Sequence, residues 1–330
     1  MLKNTTPNRF SNKSFQTSIS TSETILGQYQ IISQKKGTNS NIYCALEPNT
    51  NKMVAIKVVN PEHCQNGNNG TKSWKKIEMI EREFNVGIGL DHKNLCHYFS
   101  AVVDEKRNTH YLIREWVEGE PLLELVKQRK ITDSMLKQII IEIIDALEYV
   151  HSRGIIHRDI KPSNIIVKIE NNEICSVKLI DFGAVNKAKT DSDGEITSHI
   201  GTVGYLAPEA LSFPSVQSDI FSLGATILYA KTAQDASAKF DPSINFKELL
   251  KETGAFSQII KKCLQTEAKN RYESVLEIRS DLESTKLVQW KSKFNRYILS
   301  FLPISLLTSN QIEMLISTGE YRFIDPEKFV

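Results

Sequence analysis

The sequence predicts an α+β protein of two lobes, a small antiparallel β lobe with one main helix and a larger, mainly helical lobe. Up to residue 118, short segments rich in Ile, Val and Tyr are separated by Gly, Asn and Pro turn signals, a pattern typical of strands. After Gly119, apolar residues recur at helical spacing. A cleft between the lobes is the expected ligand site, because ligands preferentially bind where domains meet.

Composition limits the possible partners. The 330 residues are 40% hydrophobic, and 41 Lys and Arg residues nearly balance 39 Asp and Glu residues, so no nucleic-acid partner is expected. The five cysteines are scattered without a Cys-x-x-Cys pair, which favours neither a disulfide framework nor a zinc site. No apolar segment has membrane-spanning length, and the sequence therefore predicts a soluble, cytoplasmic protein without a transmembrane segment.

The first lobe is predicted to follow a disordered tail, because residues 1–27 are rich in Ser, Thr and Asn and poor in apolar side chains. Residues 28–118 form the β lobe. Its predicted strands are Tyr29–Ser33, Asn41–Leu46, Met53–Val59, Tyr98–Val103 and Tyr111–Trp116. One helix is predicted at Trp74–Val86, where apolar residues recur every three or four positions.

The second lobe is predicted at residues 119–283. Its first helices, Leu122–Gln128 and Met135–His151, show helical spacing of apolar residues, and Gly154 follows the second as a stop signal. Residues 284–330 carry further apolar residues at helical intervals, which predicts a helical extension of unknown role.

Two polar segments of the second lobe carry residues suited to phosphoryl transfer. They are His157–Val167, HRDIKPSNIIV, and Val177–Val185, VKLIDFGAV. Either segment alone could be a polar loop between strands. Together, in this order and at this separation, they resemble the signature of the protein kinase family, in particular that of bacterial-type serine/threonine kinases. The resemblance covers about Tyr29–Leu282.

The resemblance implies a role for each polar residue of these segments. Asp159 would accept or orient the proton of the attacking hydroxyl, and Lys161 would bring a positive charge to the moving phosphoryl group. Asn164 and Asp181 would bind Mg²⁺, since hard oxygen ligands suit this ion. ATP and Mg²⁺ are therefore the expected cofactors.

Lys57 lies in the segment VAIKVV and could simply be a solvated lysine at a strand end. The resemblance implies instead that it holds the α- and β-phosphates of ATP and pairs with a glutamate of the helix. Counting back from Leu90–Leu95 places that partner at Glu83, which leaves Glu78 and Glu81 facing solvent.

The segment Tyr111–Gly119 resembles the strand and hinge beside the adenine base. The resemblance implies that the carbonyl of Glu115 and the amide of Val117 bind the base. Apolar contacts to the base are implied for Ile42, Ala55 and Ile166. Arg114 falls at the back of this pocket, where the family more often has an apolar residue, and it is expected to reach the carboxylate of Glu83 or Asp181.

Three further matches separate protein kinases from kinases of small molecules. They are Glu209 in APE, Asp219 in SDIFSLG and Arg271 in KNRY. The resemblance implies that Glu209 pairs with Arg271, and that Asp219 binds the backbone near His157 and Arg158.

Substrate class and regulation are implied by the segment Ile200–Glu209, IGTVGYLAPE, which resembles that of serine/threonine kinases. In this resemblance Thr202 completes the catalytic site. Phosphorylation of Thr197 or Ser198, by the protein itself or by an activating partner, is expected to order the loop by pairing with Arg158.

The sequence also departs from the family pattern. In the glycine-rich lid, Gly37 is retained, whereas Lys35 and Ser40 replace the two other glycines. A stiffer lid and weaker ATP binding are expected, because bulkier residues keep the backbone from the phosphates. Gly87 also stands where the family packs an apolar side chain between the helix and Phe182, which predicts a weaker hold on the Lys57 pair.

These observations predict a serine/threonine kinase that transfers the γ-phosphate of ATP to a protein substrate. Both a bacterial signalling kinase and an effector delivered into the cytosol of a host cell fit the resemblance. The alternative is a pseudokinase scaffold with a weakened ATP lid, which the departures favour and the set of polar residues disfavours.

Overall fold

The computed structural model describes residues 24–36, 41–59, 80–106, 109–182, 204–239, 241 and 243–284. The chain divides into two compact units, residues 1–281 and 282–330. Apart from the end of the last helix, the elements named below belong to the first unit. No helix in the described ranges is long and apolar enough to cross a membrane.

The first lobe contains a six-stranded antiparallel sheet in the order β1-β2-β3-β4-β6-β5. Its strands are β1 Thr24–Ile25, β2 Tyr29–Lys36, β3 Asn41–Glu47, β4 Lys52–Val59, β5 Tyr98–Asp104 and β6 Thr109–Glu115. The predicted fold class is confirmed. Strand β1 lies in the segment predicted as tail, and its pairing with β2 brings these two residues into the sheet instead.

The pleat of β4 decides which residues face the cleft. Successive side chains of a strand point to opposite faces, so in the segment VAIK Val54 and Ile56 share one face, and Ala55 and Lys57 share the other. Val54 and Ile56 enter the core cluster of the lobe together with Ile31 and Ile113. Lys57 therefore lies on the other face.

Helix α1 is described over residues 80–87, and the earlier part of the predicted helix lies outside the described residues. Its buried positions are Ile80, Glu83 and Gly87, at the three- and four-residue spacing of one helix face. A glutamate on the buried face is unusual, since carboxylates are rarely buried unless they are paired. The buried carboxylate of Glu83 is therefore expected to pair with a cation or a hydrogen-bond donor in the interior.

The second lobe is mainly helical. The helices are α2 Leu122–Lys127, α3 Asp133–His151, α4 Val216–Thr232, α5 Phe246–Glu252, α6 Ser257–Cys263 and α7 at residues 275–284. The side chain of Thr132 caps α3 by accepting from the amide of Met135 at 3.2 Å. Both helices predicted at the start of this lobe are present.

A small sheet of β7 Glu120–Pro121, β8 Ile165–Glu170 and β9 Glu173–Leu179 lies at the start of the helical lobe. Strands β8 and β9 form a hairpin closed by Asn171 and Asn172, both with positive φ. Asparagine tolerates this conformation, which a tight hairpin requires at both central positions. The hairpin brings the residues just before β8 next to those just after β9.

Candidate active site

An ion pair joins two elements of the first lobe, strand β4 and helix α1. Lys57 Nζ lies 2.7 Å from Glu83 Oε2, so β4 and α1 are joined as expected, and 3.3 Å from Asp181 Oδ1. Burial would lower the pKa of Lys57, but the negative charges of Asp181 and Glu83 outweigh it and hold this pKa above its ordinary value. The ammonium is therefore charged at neutral pH and is held between carboxylates from two elements.

A second cluster follows His157 in the loop before β8. Lys161 Nζ lies 2.8 Å from Asp159 Oδ2, and the Asn164 amide nitrogen donates to the same carboxylate oxygen at 2.8 Å. The amide nitrogen also donates to the Asp159 carbonyl at 2.8 Å. Because this nitrogen is engaged with Asp159, the amide oxygen of Asn164 is the atom suited to bind a cation.

Asp181 joins the two clusters. The amide of Ile180 donates to the carbonyl of Asn164 at 2.9 Å, which fixes the chain after β9 beside the loop before β8. Asp181 has a φ of 70°, in the left-handed region that Asp adopts more readily than most residues. Phe182 follows it and is fully buried, with its ring centroid 4.8 Å from that of His157. The structure thus brings Asp181 and Asn164 together as candidate metal ligands.

The residues predicted to contact the adenine base come from both sheets and from the hinge between them. Ala55 and Ile166 are buried, and Ile42 is half-buried. Glu115 ends β6, and its carboxylate accepts from Lys178 Nζ at 2.9 Å. Val117 follows in the half-buried hinge. Contact of these five residues with an adenine base stays a prediction.

Arg114 does not make the predicted contact with Glu83 or Asp181. Its guanidinium is buried, and its Nη1 donates to Cys96 Sγ at 3.9 Å. Within the described ranges it makes no ion pair, and its Nε has no hydrogen-bond partner. The register explains this contact, since Arg114 pairs with Tyr98 on β5 and Cys96 lies two residues before Tyr98.

The helical lobe is braced by the pairs that the resemblance implies. Arg271 forms a two-pronged pair with Glu209 at 2.7 and 2.9 Å, and its side chain is fully buried. Asp219 accepts from the amides of His157 and Arg158, each at 2.8 Å. These contacts fix the loop that carries Asp159.

Three side chains of the site were not predicted from the sequence. His151 Nε2 lies 2.8 Å from Asp219, Lys178 reaches the hinge at Glu115, and Tyr98 contacts Glu83. No sequence pattern marks the first two. Tyr98 could have been sought, because Gly87 leaves a gap on the buried face of α1.

Several predicted residues lie outside the described residues. They are Gly37 and Ser40 of the lid, the candidate phosphorylation positions Thr197 and Ser198, and Thr202. Lys35 is described at the end of β2 and is exposed.

The fold and the site together define a class. A β lobe supplies a partly buried Lys–Glu pair, a helical lobe supplies an Asp–Lys–Asn cluster, and a second aspartate contacts the lysine of the pair. Phosphoryl transfer requires charged groups of this kind in fixed positions. The family model described as protein kinase domain matches residues 35–293. The chain belongs to the protein kinase family.

Similar proteins are kinases of bacteria and plants. Serine/threonine-protein kinase D of Synechocystis is 32% identical over 269 residues, which cover 76% of this chain and 50% of that protein. CBL-interacting protein kinase 12 of Oryza sativa is 30% identical over 217 residues, covering 64% of this chain and 37% of that protein. The chain therefore spans half or less of the length of these relatives.

A solved structure shares the fold. The crystal structure of Rad53 residues 1–466 in complex with AMP-PNP matches with a TM-score of 0.57 and 22% sequence identity. The match covers 77% of this chain and 64% of that one. It confirms the protein kinase fold.

Proposed function

We propose that this protein is a serine/threonine kinase that transfers the γ-phosphoryl group of ATP to a protein hydroxyl. The observation that carries the proposal is the double contact of Lys57 with Glu83 and Asp181, from two further elements of the fold. Because Glu83 is buried and Lys57 is half-buried, this arrangement carries a desolvation cost that an ordinary surface ion pair does not. The named bacterial and plant relatives support the same activity.

The nucleotide is proposed to bind under the lid that contains Gly37, with its phosphates at Lys57. The backbone carbonyl of Glu115 and amide of Val117 would bind the base edge. Its faces would contact Ile42, Ala55 and Ile166. Glu83 would keep the lysine aimed at the phosphates, because this carboxylate is buried and cannot turn to solvent.

Two side chains offer the donor atoms that Mg²⁺ prefers, the carboxylate of Asp181 and the amide oxygen of Asn164. When bound, the ion would neutralise the phosphate charge. Asp159 would accept the proton of the attacking hydroxyl, and its contacts with Lys161 and Asn164 support this role. Lys161 would also stabilise the charge on the transferred group.

The acceptor is proposed to be a Ser or Thr hydroxyl of a protein substrate, which rests on the resemblance of the segment with Thr202. Regulation is proposed to act through phosphorylation of Thr197 or Ser198. Two observations on Arg158 support this idea. Burial lowers the pKa of its guanidinium, although the negative charge of Asp219 opposes this effect. Its Nε has no hydrogen-bond partner among the described residues. A buried cation of this kind would gain from a phosphate partner.

The activity is tested by incubating the full chain with labelled ATP and Mg²⁺, alone and with a generic protein substrate. Label transfer to serine or threonine in protein is expected, and Asp159→Asn should remove it. Transfer to a small molecule instead would contradict the proposal. A protein that binds ATP and transfers nothing, with or without an added partner, would favour the pseudokinase scaffold.

The lid is open to a separate test. Restoring both glycines, by Lys35→Gly with Ser40→Gly, is expected to lower the KM for ATP, because the backbone can then approach the phosphates. The KM is measured at saturating protein substrate. An unchanged or raised KM would show that the side chain of Lys35 contributes more to binding than the missing glycine would.

The biological setting is proposed to be bacterial signalling, which the bacterial relative supports. The host-directed alternative predicts that the protein is secreted from the cell that makes it. Detection of the tagged full chain in the culture medium or in an infected host cell would decide between them.

A further inference from the structure

Helix α1 has a gap in its buried face at Gly87, one turn after Glu83. A Cβ at this position would lie 2.4 Å from Cδ2 of Tyr98, closer than any packed atom can be. The aromatic ring of Tyr98, from β5, therefore occupies the place of a helix side chain. The ring also contacts Phe182 edge to face, with a centroid distance of 6.1 Å.

The hydroxyl of Tyr98 reaches two other segments. It donates to Glu83 Oε1 at 3.0 Å and accepts from the amide of Phe182 at 3.4 Å. Lys57 takes the other oxygen of Glu83, Oε2, at 2.7 Å. Each oxygen of the carboxylate thus has its own donor, and the plane of the carboxylate is set by both.

This hydroxyl is more than a filler of space. A phenylalanine would occupy the same volume, whereas a buried hydroxyl costs free energy unless it is hydrogen-bonded. Tyr98 and Glu83 are each about 1% exposed, so water cannot replace either partner. Burial, and after it the negative charge of Glu83, raises the pKa of Tyr98 well above its ordinary value, and the hydroxyl remains a donor.

We propose that Tyr98 is a positioning residue that holds Glu83 and the Asp181–Phe182 turn in the active arrangement, in place of the side chain that Gly87 lacks. The inference rests on the proposed kinase function. It also revises the expectation that Gly87 weakens the hold on Lys57, because the ring and hydroxyl of Tyr98 restore contacts from β5 to α1 and to Phe182.

The hydroxyl is tested with Tyr98→Phe in the full chain. We expect kcat to fall about tenfold while the KM for ATP changes less, since a misaimed Glu83 costs more in the transition state than in nucleotide binding. The matched control is Tyr272→Phe, which removes another buried hydroxyl bonded to a carboxylate, Asp281, at 2.7 Å. An unchanged kcat in Tyr98→Phe would overturn the proposal while leaving the kinase function intact.

A second readout does not depend on activity. Amide hydrogen exchange at Phe182 and along residues 80–87 should be faster in Tyr98→Phe than in the wild type or in Tyr272→Phe, because the hydroxyl no longer accepts from that amide. Equal exchange in the three proteins would contradict the proposal. This comparison decides the matter even if the wild-type chain phosphorylates nothing.

Leucine substitutions at both positions test whether the ring of Tyr98 replaces a side chain at Gly87. Tyr98→Leu leaves a void beside α1, and Gly87→Leu alone collides with the ring, so each should lower kcat. The double variant should be more active than either single variant, because the leucine introduced on α1 fills the space that the ring leaves. A double variant no better than the poorer single variant would show that the two positions do not substitute for one another.

Discussion

At the scale of single residues, the site balances two cations, the half-buried Lys57 and the buried Arg114, against two carboxylates. Lys57 contacts Glu83 and Asp181 directly, whereas the guanidinium of Arg114 contacts neither carboxylate and, among the described residues, donates to the thiol of Cys96. Burial and the charge of Asp181 raise the pKa of Glu83, while Lys57 and Arg114 lower it. Arg114 therefore helps to keep Glu83 ionised without touching it.

Replacing Arg114 by Met is expected to shift the pH dependence of activity. Loss of the positive charge raises the pKa of Glu83 further, and the protonated carboxyl cannot pair with Lys57. The acid limb of the kcat/KM profile should therefore move to higher pH. Arg114→Lys keeps the charge and should leave the limb in place; the same limb in all three proteins would refute the role.

At the scale of elements, the hinge is held against the small sheet by one glycine. Gly119 has a φ of 125°, and a Cβ there would lie 2.5 Å from the carbonyl oxygen of Val167 on β8. The next residue, Glu120, pairs with Val167 as β7. The close approach of the hinge to β8 depends on the absence of a side chain.

Gly119→Ala is expected to lower the free energy of unfolding by about 2 kcal/mol, from strain and collision together. It should also raise the KM for ATP, because the hinge must move away from β8. Gly154→Ala is the control: it has a φ of 70° but open space around it, and should cost only about 1 kcal/mol with no change in KM. Equal losses in both variants would exclude the collision.

The ion pair of Glu209, in the segment before α4, with Arg271, between α6 and α7, predicts that stability depends on acid pH. Partial burial would raise the pKa of Glu209, but the hydrogen bonds from Arg271 and Ser218 outweigh it and hold this pKa below its ordinary value. A carboxyl with a depressed folded pKa contributes stability above its unfolded pKa, and this contribution is lost as the pH falls through the folded value.

Glu209→Gln should therefore cost about 3 kcal/mol of unfolding free energy at neutral pH, since it leaves the buried Arg271 without its charge partner. The difference from the wild type should shrink as the pH falls below about 4. Urea unfolding across this pH range measures it. Glu248→Gln, in an exposed pair with Lys251, should have little effect at any pH; a constant difference for Glu209→Gln would contradict the ionic origin.

At the scale of the whole molecule, nucleotide binding is expected to stabilise the fold, because its contacts are proposed to come from both lobes. At a concentration of ATP and Mg²⁺ about 100 times the Kd, linkage predicts about 2.7 kcal/mol of added stability. Lys57→Met should reduce the rise in Tm, whereas Lys93→Met, at a position 72% exposed, should preserve it. A full rise in Lys57→Met would show that the lysine does not bind the phosphates.

The sequence by itself determined the fold class, five strands of the first lobe and the first two helices of the second. Local periodicity predicts elements, and a motif such as HRDIKPSN keeps its members within one loop, so their proximity follows from the chain. Even Glu83 could be assigned, because its distance along the helix from Leu90–Leu95 is set by the sequence.

Only the tertiary structure decided the contacts between segments far apart in the chain. The partner of Arg114 was predicted wrongly, since strand register, which places Cys96 beside it, is not visible in either segment alone. The filling of the gap at Gly87 by Tyr98 likewise depends on how β5 packs against α1. Packing joins residues that no local pattern relates, and at this site it brings the ring of Tyr98 into the place of the side chain that Gly87 lacks.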